Sequence, residues 1–230
     1  VTIRATNIAA AGSTSNVAAA SSYSVGSQQP LPRRLYLLAV QLSQGTTTVK
    51  PTINHTGFTW DDVTNVGSGN DQMWIFRCMP NTLISAATLD ITMNTSTHTG
   101  CNYSLDEFDN VWLGGTNGAE AIIQTTTGSA ASGTASDLTD LAAFKNPNNL
   151  GYVAAYHRAA EATNGTADSV TILNGTGTSY STPTVALGVG VKLNDVDPVL
   201  GWTTSATWRA AGIEIRAAAR ELAIAGAGRQ

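Results

Sequence analysis

The chain of 230 residues carries 42% hydrophobic but only 12% charged side chains and a net charge of −4, about half the charge of an ordinary globular domain. That is enough length and apolar content for one large domain with its own core. An acidic balance with no basic run excludes nucleic acid as an expected partner. With no apolar stretch near the roughly 18 residues that span a bilayer, a membrane is excluded in the same way.

The start, VTIRATNIAA, lacks the basic-then-apolar order of a secretory signal. Residues 9–29 are small, polar and almost uncharged, so 1–29 reads as an N-terminal arm or edge segment. Pro30 and Pro32 then hold the chain extended into Leu35–Leu42, a nearly continuous apolar run expected of a central strand buried on both faces. Phe58–Val66 reads as a strand ending in a turn at Gly67–Asn70. In Gln72–Met79, Trp74, Phe76 and Cys78 share one face, and Met73, Ile75, Arg77 and Met79 the other. Ala87–Met93 alternates Leu89, Ile91 and Met93 with Thr88, Asp90 and Thr92, as in a half-exposed antiparallel strand.

The same grammar continues through Thr99–Phe108, Glu120–Thr127, Leu150–Arg158, Ser169–Asn174, Pro183–Leu193 and Ala206–Arg216. Residues 128–140 read as a loop, and Gly175-Thr176-Gly177 as a turn. About ten strands at spacings of roughly 12–20 residues, with no internal amphipathic helix, predict an all-β fold, an antiparallel two-sheet β-sandwich. The expected domain is 30–216. The Ala-rich stretch 217–230 is a short C-terminal tail with the composition for one or two helical turns.

A series of framework residues runs through this domain. Arg34-Leu35 opens the apolar strand, followed by Gly57-Phe58-Thr59-Trp60, Met73-Trp74, Arg77-Cys78-Met79 and Leu89-Asp90-Ile91-Thr92. Ser104-Leu105-Asp106-Glu107-Phe108 and Trp208-Arg209-Ala210-Ala211-Gly212-Ile213-Glu214-Ile215 complete it. Over residues 30–216 this order resembles an uncharacterised β-sandwich module of tailed-phage structural proteins and related bacterial or prophage surface proteins. The resemblance implies a jelly-roll-like sandwich and a virion-surface structural protein without known catalytic apparatus.

Candidate chemistry is sparse. His55, His98 and His157 stand at no metal-ligand spacing, and the first two fall in turn-like, exposed contexts. Asp106, Glu107 and Asp109 form the densest acidic cluster and Asp61-Asp62 a second. On a strand, however, neighbouring carboxylates point to opposite faces and do not chelate or act on one sugar together. Gly188-Val189-Gly190 sits inside a strand pattern, where no helix follows to make a dinucleotide fingerprint. Cys78 and Cys101 fall on aromatic strand faces, where buried thiols are favoured over a disulfide.

No catalytic, cofactor-binding or metal residue is therefore assigned. Trp112, in a Gly-rich loop, and Trp202, after Leu200-Gly201, are the candidate ligand or interface residues. The expected role is a capsid decoration (cement) protein on the virion surface. Its partners are other virion proteins, the major capsid protein first, and further copies of itself, a trimer suiting a shell's local three-folds. The second expectation is a tail-fibre, baseplate or host-adhesion module that binds carbohydrate through an exposed aromatic. A carbohydrate-active enzyme is the third.

Overall fold

A computed structural model describes residues 2–12, 22–44, 49–69, 71–93, 98–159, 163–181 and 184–219. The described residues form thirteen strands: β1 (Arg4–Gly12), β2 (Ser22–Gln28), β3 (Leu35–Gln44), β4 (Thr52–Asn54), β5 (Asp61–Ser68), β6 (Asp71–Cys78), β7 (Ala87–Thr92), β8 (His98–Asp109), β9 (Ile122–Ala130), β10 (Leu150–His157), β11 (Thr171–Ser181), β12 (Thr184–Leu193) and β13 (Trp208–Ile215). A 3-10 turn at Thr116–Ala121 precedes β9. All pairings between named strands are antiparallel, in three sheets of order β1-β8-β3-β6-β5, β11-β12-β10-β13-β9 and β2-β7-β4.

The first sheet is central, and alternation along β3 explains why. Leu35, Leu37 and Ala39 pack toward the five-stranded outer sheet, against Tyr152, Val189 and Ile213. Tyr36, Leu38, Val40 and Leu42 point the opposite way, against Val25, Leu89 and Ile91 of the three-stranded sheet. A strand clothed on both faces cannot alternate greasy with polar, hence the continuous run in the sequence. The central and five-stranded sheets stack edge over edge, with β1 against β11 and β5 against β9.

The sandwich is thus as expected, with a third sheet added. Among the first eight strands the order β1-β8-β3-β6 faces β2-β7-β4. This is the wrapped course of a jelly roll except at β5, which pairs with β6 instead of extending the small sheet beyond β4. The chain then leaves these two sheets and builds the outer sheet from β9 to β13 alone. The jelly-roll expectation therefore describes the winding of the first half only, and incompletely.

Several local expectations are revised. Of the two readings of the N-terminal segment, arm or edge, its described residues take the edge: β1 is an edge strand of the central sheet and β2 an edge of the small one. Their small side chains suit an edge, and pairing to β8 and β7 supplies the order that composition does not. Residues 58–60 are loop, and the strand begins at Asp61. Residues 128–130 belong to β9. No turn interrupts β11 at Gly175–Gly177; the strand runs on with its register shifted between Asn174 and Thr178. At the C-terminus, Ala217 is buried and bridges Val111, so the domain extends past 216. The expected helical turns fall mostly on 220–230, outside the described residues.

Loops cover the far face of the outer sheet. Leu138, Val170, Leu200 and Trp202 pack onto Val153, Ala155, Trp208 and Ala210. The approach is close enough that a Cβ at Gly188 would lie 2.0 Å from Thr163 Oγ1, and one at Gly190 2.4 Å from Val170 Cγ1. These glycines in β12 make room for an overlying loop, which accounts for the Gly-Val-Gly string without any nucleotide.

Burial sets the first testable contrast. Leu38 is 0% exposed in the middle layer and Ile123 of β9 is 49% exposed. Leu38→Ala is expected to cost about 2–5 kcal/mol, and Ile123→Ala to stay within about 0.5 kcal/mol. Urea unfolding of the two variants checks this; equal losses would contradict the three-layer core.

Candidate functional site

The acidic cluster of β8 is split by the strand. Asp106 points between the central and outer sheets and is fully buried. Its carboxylate accepts from Asn7 Nδ2 at 2.8 Å, from Ser104 Oγ at 3.0 Å and from Tyr152 Oη at 3.4 Å. Glu107 points to the other face, where it pairs with Arg34 and accepts from the Tyr36 hydroxyl. Asp61 and Asp62 separate in the same way. Asp61 engages Arg77 and the Asn117 amide, and Asp62 pairs with Lys50. Among the described residues no group of three His, Cys, Asp or Glu side chains is placed to hold a metal.

A second buried carboxylate fastens the two large sheets. Asp71, at the start of β6, accepts from the Ser43 hydroxyl and from the Arg158 guanidinium, whose Nε lies 2.8 Å away. Its main-chain oxygen accepts from Arg209 Nη1 at 2.7 Å and from Tyr156 Oη at 2.9 Å. Burial pushes the Tyr156 phenol up to about 12 against the opposing pull of Arg209, so it stays a donor at neutral pH. Gly67 lets the guanidinium in: with φ at 110° it occupies a backbone region that favours glycine, and a Cβ there would lie 2.8 Å from Arg209 Nη1.

The two candidate tryptophans have different fates. Trp202 is 4% exposed and belongs to the cluster under the loops. One ring face stacks on His157 at 4.5 Å, Trp208 meets it edge-on, and its Nε1 donates to the Gly133 carbonyl at 2.8 Å. With these contacts made inside the fold, it is no platform for a ligand. Trp112 is half-buried at a corner, where Nε1 donates to Glu120 at 3.1 Å and the Arg216 guanidinium covers the ring at 4.2 Å. The corner keeps a hollow of about 360 Å³ between Arg33, Leu113 and Ala219. Main-chain bonds from Trp112 N to the Arg216 carbonyl and from Ala218 N to the Asn110 carbonyl tie this corner to the residues that follow β13.

The remaining candidates are quiet or differently placed. Cys78 and Cys101 are free thiols, both raised by burial. His157 is fully buried. His55 is half-buried, not exposed in a turn, with Nε2 at 3.0 Å from the Gln28 carbonyl. The His98 side chain lies outside the described residues, although its backbone begins β8.

The sequence reading missed two features. Asn117, in a left-handed conformation within the 3-10 turn, accepts from Met79 N at 2.7 Å and donates to the Thr59 carbonyl at 3.0 Å, pinning the crossover to the central sheet. The other is a cleft beside β4 of about 410 Å³, walled by His55, Phe58 and Trp60. The Gly57–Trp60 string was its one sequence signal, masked by being read as strand.

Comparison with known protein families, characterised proteins and solved structures gives no match. No helix among the described residues is long and apolar enough to cross a membrane.

Asp106 gives this region a pH signature. Desolvation raises its carboxyl from 3.8 to about 7, partly opposed by the bonds from Asn7, Ser104 and Tyr152. The folded state therefore keeps a proton that the unfolded chain has released. The resulting stability is complete below about pH 4 and is lost as pH rises toward 7. Asp106→Asn, which mimics the protonated acid, should remove this decline and gain on the order of 3 kcal/mol at pH 8. Urea midpoints at pH 5 and pH 8 decide it, and an unchanged pH slope in the variant would refute the assignment.

Proposed function

We propose that the protein is a structural component of a virion surface, a capsid decoration protein that binds and stabilises an assembled phage shell. What carries the reading is how the chain spends its charge. Among the described residues the three buried carboxylates are all bonded inside the fold: Asp71 and Asp106 join the layers, and Glu214 accepts from Gln124 and Asn149 within the outer sheet and its flank. Meanwhile the outer edge strand β9, IIQTTTGSA, exposes Thr125, Thr127 and Ser129 beside one apolar side chain, Ile123. A surface poor in long charged side chains loses little rotamer entropy when a neighbour covers it. Many of the framework residues that resemble the phage module fill the layers, Trp74, Cys78, Leu105, Phe108 and Trp208 among them. That agreement supports the fold part of the resemblance and, through it, the role.

A decoration protein acts by mass action, binding the assembled shell and not free subunits, so that disassembly must first release it. The partner is the major capsid protein, and copies of this chain meet at local symmetry axes. The Trp112 corner, with Leu113 39% exposed beside it, is the apolar surface assigned to that contact.

Purified protein should co-sediment with expanded shells of the phage or prophage that encodes it and raise their heat resistance. Leu113→Asp should weaken that binding by about tenfold or more, the cost of placing a charge in an apolar contact. Recovery of the protein with tails and never with shells would replace this reading by the adhesion one.

A further inference from the structure

The cleft beside β4 has the makings of a ligand site. Because β5 pairs with β6, the outer edge of β4 carries no further strand, and residues 55–60 cross the gap instead. Phe58 and Trp60 pack from the rim onto the core between the central and small sheets. His55 lies 4.3 Å from Phe58, and Phe58 5.6 Å from Trp60, ring centre to ring centre, at tilts of 36° and 51°. The three rings form one curved aromatic wall.

The facing side is polar. Asn54 and the Lys50–Asp62 ion pair line the same hollow of about 410 Å³, within the usual range of about 300–1,000 Å³ for ligand sites. Two further hollows share its walls. A recess of about 230 Å³ lies against Trp60, Leu31 and Tyr36, and an open groove of about 480 Å³ continues from Asn54 and His55 to Asp90. Trp60 Nε1 and His55 Nδ1 are buried with no hydrogen-bond partner among the described residues. Such groups carry a desolvation cost that small ring movements would relieve, the Trp60 N–H toward a bound acceptor and His55 Nδ1, whose Nε2 donates to the Gln28 carbonyl, toward a bound hydroxyl donor.

We propose that this cleft binds a neutral oligosaccharide. Sugars present apolar C–H faces, which stack on tilted aromatic rings, and hydroxyls, which suit the amide, carboxylate and ammonium opposite. Lys50 and Asp62 cancel each other, so the polar wall favours neither an anion nor a cation. The contiguous hollows fit several sugar rings in series better than one. An added peptide strand is disfavoured because β4 offers only three residues of edge. The inference does not depend on the decoration role, since a shell-surface protein is equally exposed to glycans.

The test is isothermal titration of the purified full chain with a panel of neutral tri- to hexasaccharides, following tryptophan emission in parallel. At least one oligosaccharide should bind and change the emission. Trp60→Ala should cut its affinity about tenfold or more, the order expected on losing an aromatic stacking face. Trp60 also supports the core, so Asn54→Ala, at an exposed rim position, provides a second variant; it should weaken binding with an unchanged melting temperature. Three outcomes would overturn the proposal. They are no binding by the folded protein at millimolar sugar, binding that survives both variants, or binding abolished by Trp112→Ala and not by Trp60→Ala. Shell co-sedimentation of Asn54→Ala separates the two readings: a variant that decorates shells normally but binds no sugar places the glycan site apart from the assembly surface.

Discussion

Every other feature of this fold follows from a central sheet whose inner strands β8, β3 and β6 are covered on both faces. A five-stranded sheet buried on one side needs only one partner layer, whereas this one must be met by five strands on one face and three on the other. β3 bears the constraint most heavily, because it lies between β8 and β6 and none of its residues from Leu35 to Ser43 is exposed. Even its two polar side chains, Gln41 and Ser43, are interior. Gln41 donates to Ser43 at 3.0 Å and accepts from Asn102 at 3.1 Å. A strand in that position can keep polar groups only as members of a bonded network.

The same constraint decides what the carboxylates can do. A carboxylate between two sheets is either bonded or neutral. Asp71 takes the first course, with Arg158, Ser43 and, through its main chain, Arg209 and Tyr156. Asp106 leans to the second: its three donors are neutral, and burial outweighs them. Nearer the surface the carboxylates meet cations instead, Glu107 with Arg34 and Asp168 and Asp195 with Lys192.

How much was legible in the sequence depends on whether order was local. The period-two stripes of β6, β7, β10, β12 and β13 were visible because each strand carries its own bulky residues. β1 was not, since RATNIAAAG becomes a strand only through its partner β8, nearly a hundred residues away. β4 is too short to show a period. Trp202 is a related case: a tryptophan after Leu200-Gly201 looks like loop, yet this loop is pressed onto the outer sheet and its indole takes the core packing that is the usual fate of such a residue. Small residues made that possible. Ala155, Ala210, Gly188 and Gly190 are uninformative as a pattern, but they are what lets a covering loop come close.

The candidate cleft was illegible because its cause is topological. Phe58 and Trp60, two apart, are indistinguishable in sequence from one face of a strand, and would be one if β5 began at Phe58. It begins at Asp61, where the register with β6 starts opposite Arg77 and Asp61 meets that guanidinium and Asn117. These contacts tie β5 to the central sheet and away from β4. The three preceding residues must then bridge the vacated edge, and the two aromatic ones, Phe58 and Trp60, cap the core and leave ring surface toward the hollow. Scaffold and opening thus have one origin: the strand that would have completed the small sheet is held elsewhere by an ion pair and an asparagine amide.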